Sequence, residues 1–156
     1  MARSSLRAGR DRKAGRRMKT MSATIQIAAP PMNVWAVLTD LSSYRDWNPL
    51  FREASGQVAA GNRIRLRSVH PANGRLMTVK AKIVAADPGA ELRWASALPG
   101  LMSGEHSFVL TPLDGGTRLA QTEIYGGLLA ATVSVPRTET IFQAMNDALK
   151  QRVETR

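Results

Sequence analysis

"EHSFVLTPLDGGTRLAQTEIY" (residues 105–125) decides how this chain folds. Apolar and polar residues alternate on both sides of Asp114-Gly115-Gly116. Alternation with a period of two marks half-buried strands, and Asp-Gly marks a tight hairpin turn. A two-residue type I′ turn at Asp114-Gly115 sets Leu113 opposite Gly116. Leu110 then faces Leu119, Phe108 faces Gln121, and His106 faces Glu123. With the turn at Gly115-Gly116, His106 faces Tyr125 instead. In both registers His106, Phe108 and Leu110 share one face with Leu119, Gln121, Glu123 and Tyr125. A three-residue loop would break this arrangement, because a slip of one residue flips every side chain.

A titratable ring on a core-facing position is costly unless something satisfies it. Two readings of the polar cluster stay open. In one, His106 and Glu123 satisfy each other beneath a covering helix and no ligand is involved. In the other, His106, Gln121, Glu123 and Tyr125 converge on a mostly apolar pocket for a small molecule. The expected wall of that pocket also includes Met77, Trp94 and Phe108 from the sheet, and Phe142 and Met145 from the final helix.

Outward from the hairpin, the same alternation sorts the other strands. Ile64 and Leu66 of "NRIRLRSVH" point inward, as do Met77, Val79, Ala81 and Ile83 of "LMTVKAKIV" and Leu92 and Trp94 of "ELRWAS". Arg63, Arg65, Arg67, Lys80 and Lys82 point outward as a basic stripe, which reads as a solvated face or as a surface for an anionic partner. Earlier strands lie in "FREASGQV" and in "TIQIAA", with regular structure beginning at about Thr24. "PPMNVWAVLTD" and "DLSSYRDWNPL" read as two short helices, with Trp35 in the core and Trp47 anchoring the turn into the second strand. "TETIFQAMNDALKQRVE" spaces Ile141, Phe142, Met145, Leu149 and Val153 along one face of a long helix. The expected order is one strand, two helices, six strands and a helix. Short turns between consecutive strands make the sheet antiparallel.

The chain has 156 residues, 44% of them hydrophobic, which suits a single globular domain. It lacks cysteine, so disulfides and thiolate chemistry are excluded. No apolar run is long enough to span a bilayer, and no secretory segment follows the basic start; the cytoplasm is the default compartment. The formal charge of +10 is unevenly spread: residues 1–19 hold eight basic residues against one acid, Asp11, which leaves +3 for the rest. Residues 1–21 therefore read as a disordered basic arm, and 22–156 as the folded domain. The arm could make weak contacts with anionic surfaces, or contribute nothing, with Met18 or Met21 as an alternative start. No specific nucleic-acid partner is expected.

The sequence lacks a G-x-S-x-G elbow, H-E-x-x-H, and the glycine patterns of phosphate or dinucleotide loops. No metal and no cofactor are expected. His70 lies near a strand end and is expected to face solvent. General acid/base chemistry is the one enzymatic route: His106 would move a proton on an enolisable ketone, Glu123 would hold its tautomer, and Tyr125 would donate to the carbonyl oxygen. The competing class is a carrier that uses the same groups to orient a ligand's head group.

"VWAVLTDLSSYRDWNP" (34–49), "ELRW" (91–94), "GEHSFVLTP" (104–112), "GGTRLAQTEIYGGLL" (115–129) and "MNDALKQRVE" (145–154) together resemble the SRPBCC superfamily. That group includes START-related and birch-pollen-allergen-like domains, and the likeness is greatest to bacterial polyketide cyclase/dehydrase-like proteins. The resemblance spans residues 22–154 and leaves the basic arm out. It implies an α+β helix-grip fold: a seven-stranded antiparallel sheet wrapped around a long C-terminal helix, with two short helices after the first strand. It implies a deep cavity for a lipid, polyketide or other hydrophobic small molecule, and in some members cyclisation or dehydration. The family has no universal catalytic motif, so the resemblance assigns no catalytic residue. In such an architecture the apolar connections "SALPGLMSG" (96–104) and "GLLAATVSV" (127–135) would gate the cavity mouth, or would simply pack on the core.

Overall fold

The computed structural model describes residues 18–156. Strand β1 (Lys19–Ile27) is followed by helix α1 (Pro31–Thr39), a 3₁₀ turn (Leu41–Ser43) and helix α2 (Tyr44–Trp47). Six strands come next: β2 (Phe51–Ser55), β3 (Arg63–Val69), β4 (Leu76–Asp87), β5 (Glu91–Leu98), β6 (Met102–Leu113) and β7 (Gly116–Gly126). A 3₁₀ turn (Leu128–Thr132) then leads into helix α3 (Val135–Glu154). The seven strands form one sheet in the order β1-β7-β6-β5-β4-β3-β2, with every neighbouring pair antiparallel. This is the α+β helix-grip arrangement. No helix among the described residues is long and apolar enough to cross a membrane.

The β6–β7 hairpin takes the first of the two expected registers over its whole length, with Leu113 opposite Gly116, Phe108 opposite Gln121 and His106 opposite Glu123. The turn type differs from expectation. A type I′ turn needs positive φ at both central residues. Only Gly115 has it, at +74°, whereas Asp114 does not. Loop length, not turn class, therefore sets the register.

Strand β1 begins at Lys19, five residues before Thr24, so 19–21 belong to the sheet and not to the arm expected over 1–21. The rest of that arm, up to residue 17, lies outside the described residues. The early start has a tertiary cause. One edge of β1 pairs with β7, and side chains of α3 satisfy the other. Ser22 N–H donates to Glu139 Oε1 at 3.1 Å, and Ala28 N–H donates to Glu154 Oε1 at 2.8 Å. Lys150 Nζ donates to Gln26 O at 2.9 Å. Hydrogen bonds from Lys150 and from Ala28 N–H hold the Glu154 carboxyl below the usual range. Lys19 Nζ donates to Ala131 O and Val133 O at 3.1 and 2.7 Å, tying the entry of α3 to the sheet.

The two short helices close one end. Pro31 starts α1, where its missing N–H costs nothing. Tyr44 is fully buried, and its hydroxyl donates to Leu38 O at 2.5 Å in the last turn of α1. The buried Asn48 accepts from Leu50 N–H and Phe51 N–H, both at 2.9 Å, and so aims β2 into the sheet. Helix α3 buries Phe142, Met145, Asn146, Leu149 and Val153 against the concave face. Bulges at Phe51/Glu53 and at Ile83/Ala85 interrupt the register of β2 and β4, and such bulges bend a sheet.

Candidate functional site

The inward set from β3 to β7 does not fill its own space. A cavity of about 510 Å³ lies on the concave face, walled by Phe51, Leu66, Val79, Trp94, His106, Glu123 and Tyr125. Exposed residues, Met77 and Leu98, stand on its lining and mark the mouth. A smaller hollow of about 60 Å³ shares Phe51, Val79, His106, Glu123 and Tyr125 and is bounded on the helix side by Thr138, Ile141 and Phe142.

His106 is 3% exposed and sits in an aromatic box. Its ring stacks on Trp94 with centroids 5.3 Å apart and planes 17° apart. Phe51, Phe108 and Phe142 surround it at centroid distances of 5.4, 4.9 and 5.1 Å. Both ring nitrogens are engaged. Nδ1 is hydrogen-bonded to Glu123 Oε2, and Nε2 lies 3.0 Å from Gln121 Nε2. Gln121 Nε2 also donates to Met145 Sδ at 3.4 Å. Gln121 Oε1 is buried and has no hydrogen-bond partner among the described residues.

The other oxygen of Glu123 lies above Gly104. A Cβ at position 104 would come within 2.8 Å of Glu123 Oε1 and 3.2 Å of the Tyr125 ring. Glycine in this strand interior makes room for both side chains. Burial pushes the Tyr125 hydroxyl well above its usual range, and the charge of Glu123 pushes it further the same way. Tyr125 therefore stays a protonated donor at neutral pH.

Of the residues expected to form the site, Met77, Trp94, His106, Glu123 and Tyr125 line the cavity. Phe142 borders only the smaller hollow. Phe108, Gln121 and Met145 do not line the cavity: each is fully buried, with Phe108 against the His106 ring and Gln121 bridging His106 to Met145. Met77 lies at the strand end and is 39% exposed, so it sits at the mouth and not deep in the core. His70, expected in solvent, also lines the cavity, and its Nδ1 accepts from Ala72 N–H at 3.1 Å. Trp35 and Trp47 pack against the core and do not line the cavity. Sequence reasoning missed Phe51 and Gly104. Phe51 carries no periodic signal because it opens a five-residue strand. Gly104 did carry one, as an isolated glycine inside a strand pattern.

Residues of both apolar connections line the cavity, Ser96 to Leu98 and Met102 to Gly104 from the first, and Thr132 and Val133 from the second. Leu129 N–H donates to Leu101 O at 3.1 Å and joins the two.

The model of a family described as polyketide cyclase / dehydrase and lipid transport matches residues 18–154. The chain belongs to that family. No curated protein matches it. Solved structures share its fold at low identity. A protein from Thermus thermophilus is 21% identical over 88% of this chain and 98% of its own, with a TM-score of 0.71. A START superfamily protein from Mycobacterium smegmatis is 18% identical over 87% of this chain and 97% of its own, with a TM-score of 0.66. Ara h 8.0201 is 15% identical over 89% of this chain and 99% of its own, with a TM-score of 0.68. The family match starts at residue 18, close to the observed start of β1.

Proposed function

We propose that the protein binds a lipid- or polyketide-like molecule in the cavity between the sheet and α3. The apolar part lies against Phe51, Leu66, Val79 and Trp94, and the polar end meets Glu123 and Tyr125. The observation that carries this reading is a carboxylate buried in the wall of a mostly apolar cavity of about 510 Å³. Cavities of roughly 300–1,000 Å³ with a few convergent polar groups suit small molecules. Lipid transport in the family description supports the same reading. Native mass spectrometry of the purified protein, followed by solvent extraction, tests it. A stoichiometric apolar molecule is expected. A protein that is empty and also binds none of a broad panel of apolar dyes overturns the reading and leaves His106 and Glu123 as a self-satisfied core pair.

A second reading rests on the engagement of both His106 nitrogens. In an acid/base enzyme using this cavity, the proton-transferring group is then Glu123. It takes the α-proton of a bound ketone while Tyr125 donates to the developing enolate oxygen, and His106 holds the carboxylate in place. Glu123→Gln separates the classes: an enzyme loses about 10²-fold or more in turnover, whereas a carrier keeps its affinity for a neutral apolar ligand within severalfold.

A further inference from the structure

One oxygen of a buried carboxylate faces the cavity. The Glu123 side chain is 8% exposed, and among the described residues its one ion-pair-distance partner is His106. Both nitrogens of that partner are taken, Nδ1 by Glu123 and Nε2 by Gln121. Glu123 Oε2 is used by His106 Nδ1–H, and Oε1 faces Gly104 and the Tyr125 ring on the cavity side. Trp94, Phe51, Leu66 and Val79 supply apolar walls, which screen charge far less than water does. Lys80 belongs to the basic stripe on the outer face of the sheet and forms no ion pair with Glu123.

On the reading that this cavity holds an amphiphile, we propose that it selects by head-group charge. It accepts a non-anionic head group that donates a hydrogen bond to Glu123 Oε1, such as an alcohol or an amine, and it rejects free carboxylates. An acceptor-only oxygen needs a donor, and Tyr125 supplies a second donor for an ether or carbonyl oxygen beside it. A ligand carboxylate would bring two like charges together in an apolar wall and would leave both short of donors.

The test is calorimetric titration of the full chain with decanol, decylamine, decanoate and methyl decanoate at neutral pH, below their aggregation limits. Decanol and decylamine are expected to bind, and decanoate about 100-fold or more weakly, given the strength of a close charge pair in a poorly screened site. Methyl decanoate, which has neither charge nor donor, should fall between them. In Glu123→Gln the penalty on decanoate should shrink by about tenfold or more. Wild-type protein that binds decanoate as tightly as decanol overturns the charge selection. Methyl decanoate binding as tightly as decanol overturns the need for a donor. Failure of all four to bind overturns the cavity reading and the selection with it. The wild-type comparison stands even if the variant does not fold.

Discussion

A carboxylate buried with one partner depends on that partner. His106 fills a box of four aromatic side chains and supplies a hydrogen bond to Glu123. His106→Phe keeps a ring in the box but removes that donor. Breaking a buried pair from one side costs about 3–5 kcal/mol, whereas replacing both members with apolar groups is often close to neutral. His106→Phe is therefore expected to lower stability by about 3 kcal/mol in urea unfolding, and adding Glu123→Leu should restore most of it. A single variant that unfolds at the wild-type midpoint would mean that the pair contributes nothing. Hairpin pattern alone narrowed the residue facing His106 to Glu123 or Tyr125, and the fold selects Glu123. The capture of the second His106 nitrogen by Gln121 was not legible, because side chains two residues apart on one face can still turn toward or away from a cavity.

Among the elements, the β6–β7 hairpin positions the site and its turn is the simplest point to perturb. Gly115 has φ +74°, and a Cβ there would meet nothing within 4 Å. The cost of a side chain is then backbone strain alone, about 1–2 kcal/mol for a left-handed residue other than glycine. Gly115→Ala should lower the urea midpoint by about that energy while leaving ligand affinity unchanged, since Leu113 still faces Gly116. A shifted affinity would show that the variant slips the register. The start of β1 was not visible in "KTMSA" because no strong alternation marks it. Its strand state comes from β7 on one edge and from Glu139, Lys150 and Glu154 of α3 on the other.

Across the whole molecule the sheet is two-faced. Its concave side is apolar around one buried charge, and its outer side carries the basic stripe. There Arg63 pairs directly with Lys82, and Arg65 with Lys80. Like charges directly opposite one another destabilise a sheet by a few tenths to about 1 kcal/mol. Arg63 and Lys82 border an outer groove and form no ion pair among the described residues. Lys82→Glu should therefore raise the melting temperature at low ionic strength, and the gain should fade at about 1 M salt, where the Debye length is only about 3 Å. A gain that persists at high salt would point to packing instead of charge.

By itself the sequence determined the elements, the antiparallel order, a short hairpin loop within Asp114-Gly115-Gly116 and the face on which each strand residue lies. These follow from local periodicity and loop length, which a chain displays without folding. The tertiary structure alone decided the cavity. A void is the shape left between elements, so no local pattern reports its volume, the entry of Phe51, His70 and Gly104 into its surroundings, or the retreat of Phe108, Gln121 and Met145 behind it. Packing also decided the chemistry at its wall: both nitrogens of His106 are closed, and one carboxylate oxygen of Glu123 is left facing the cavity.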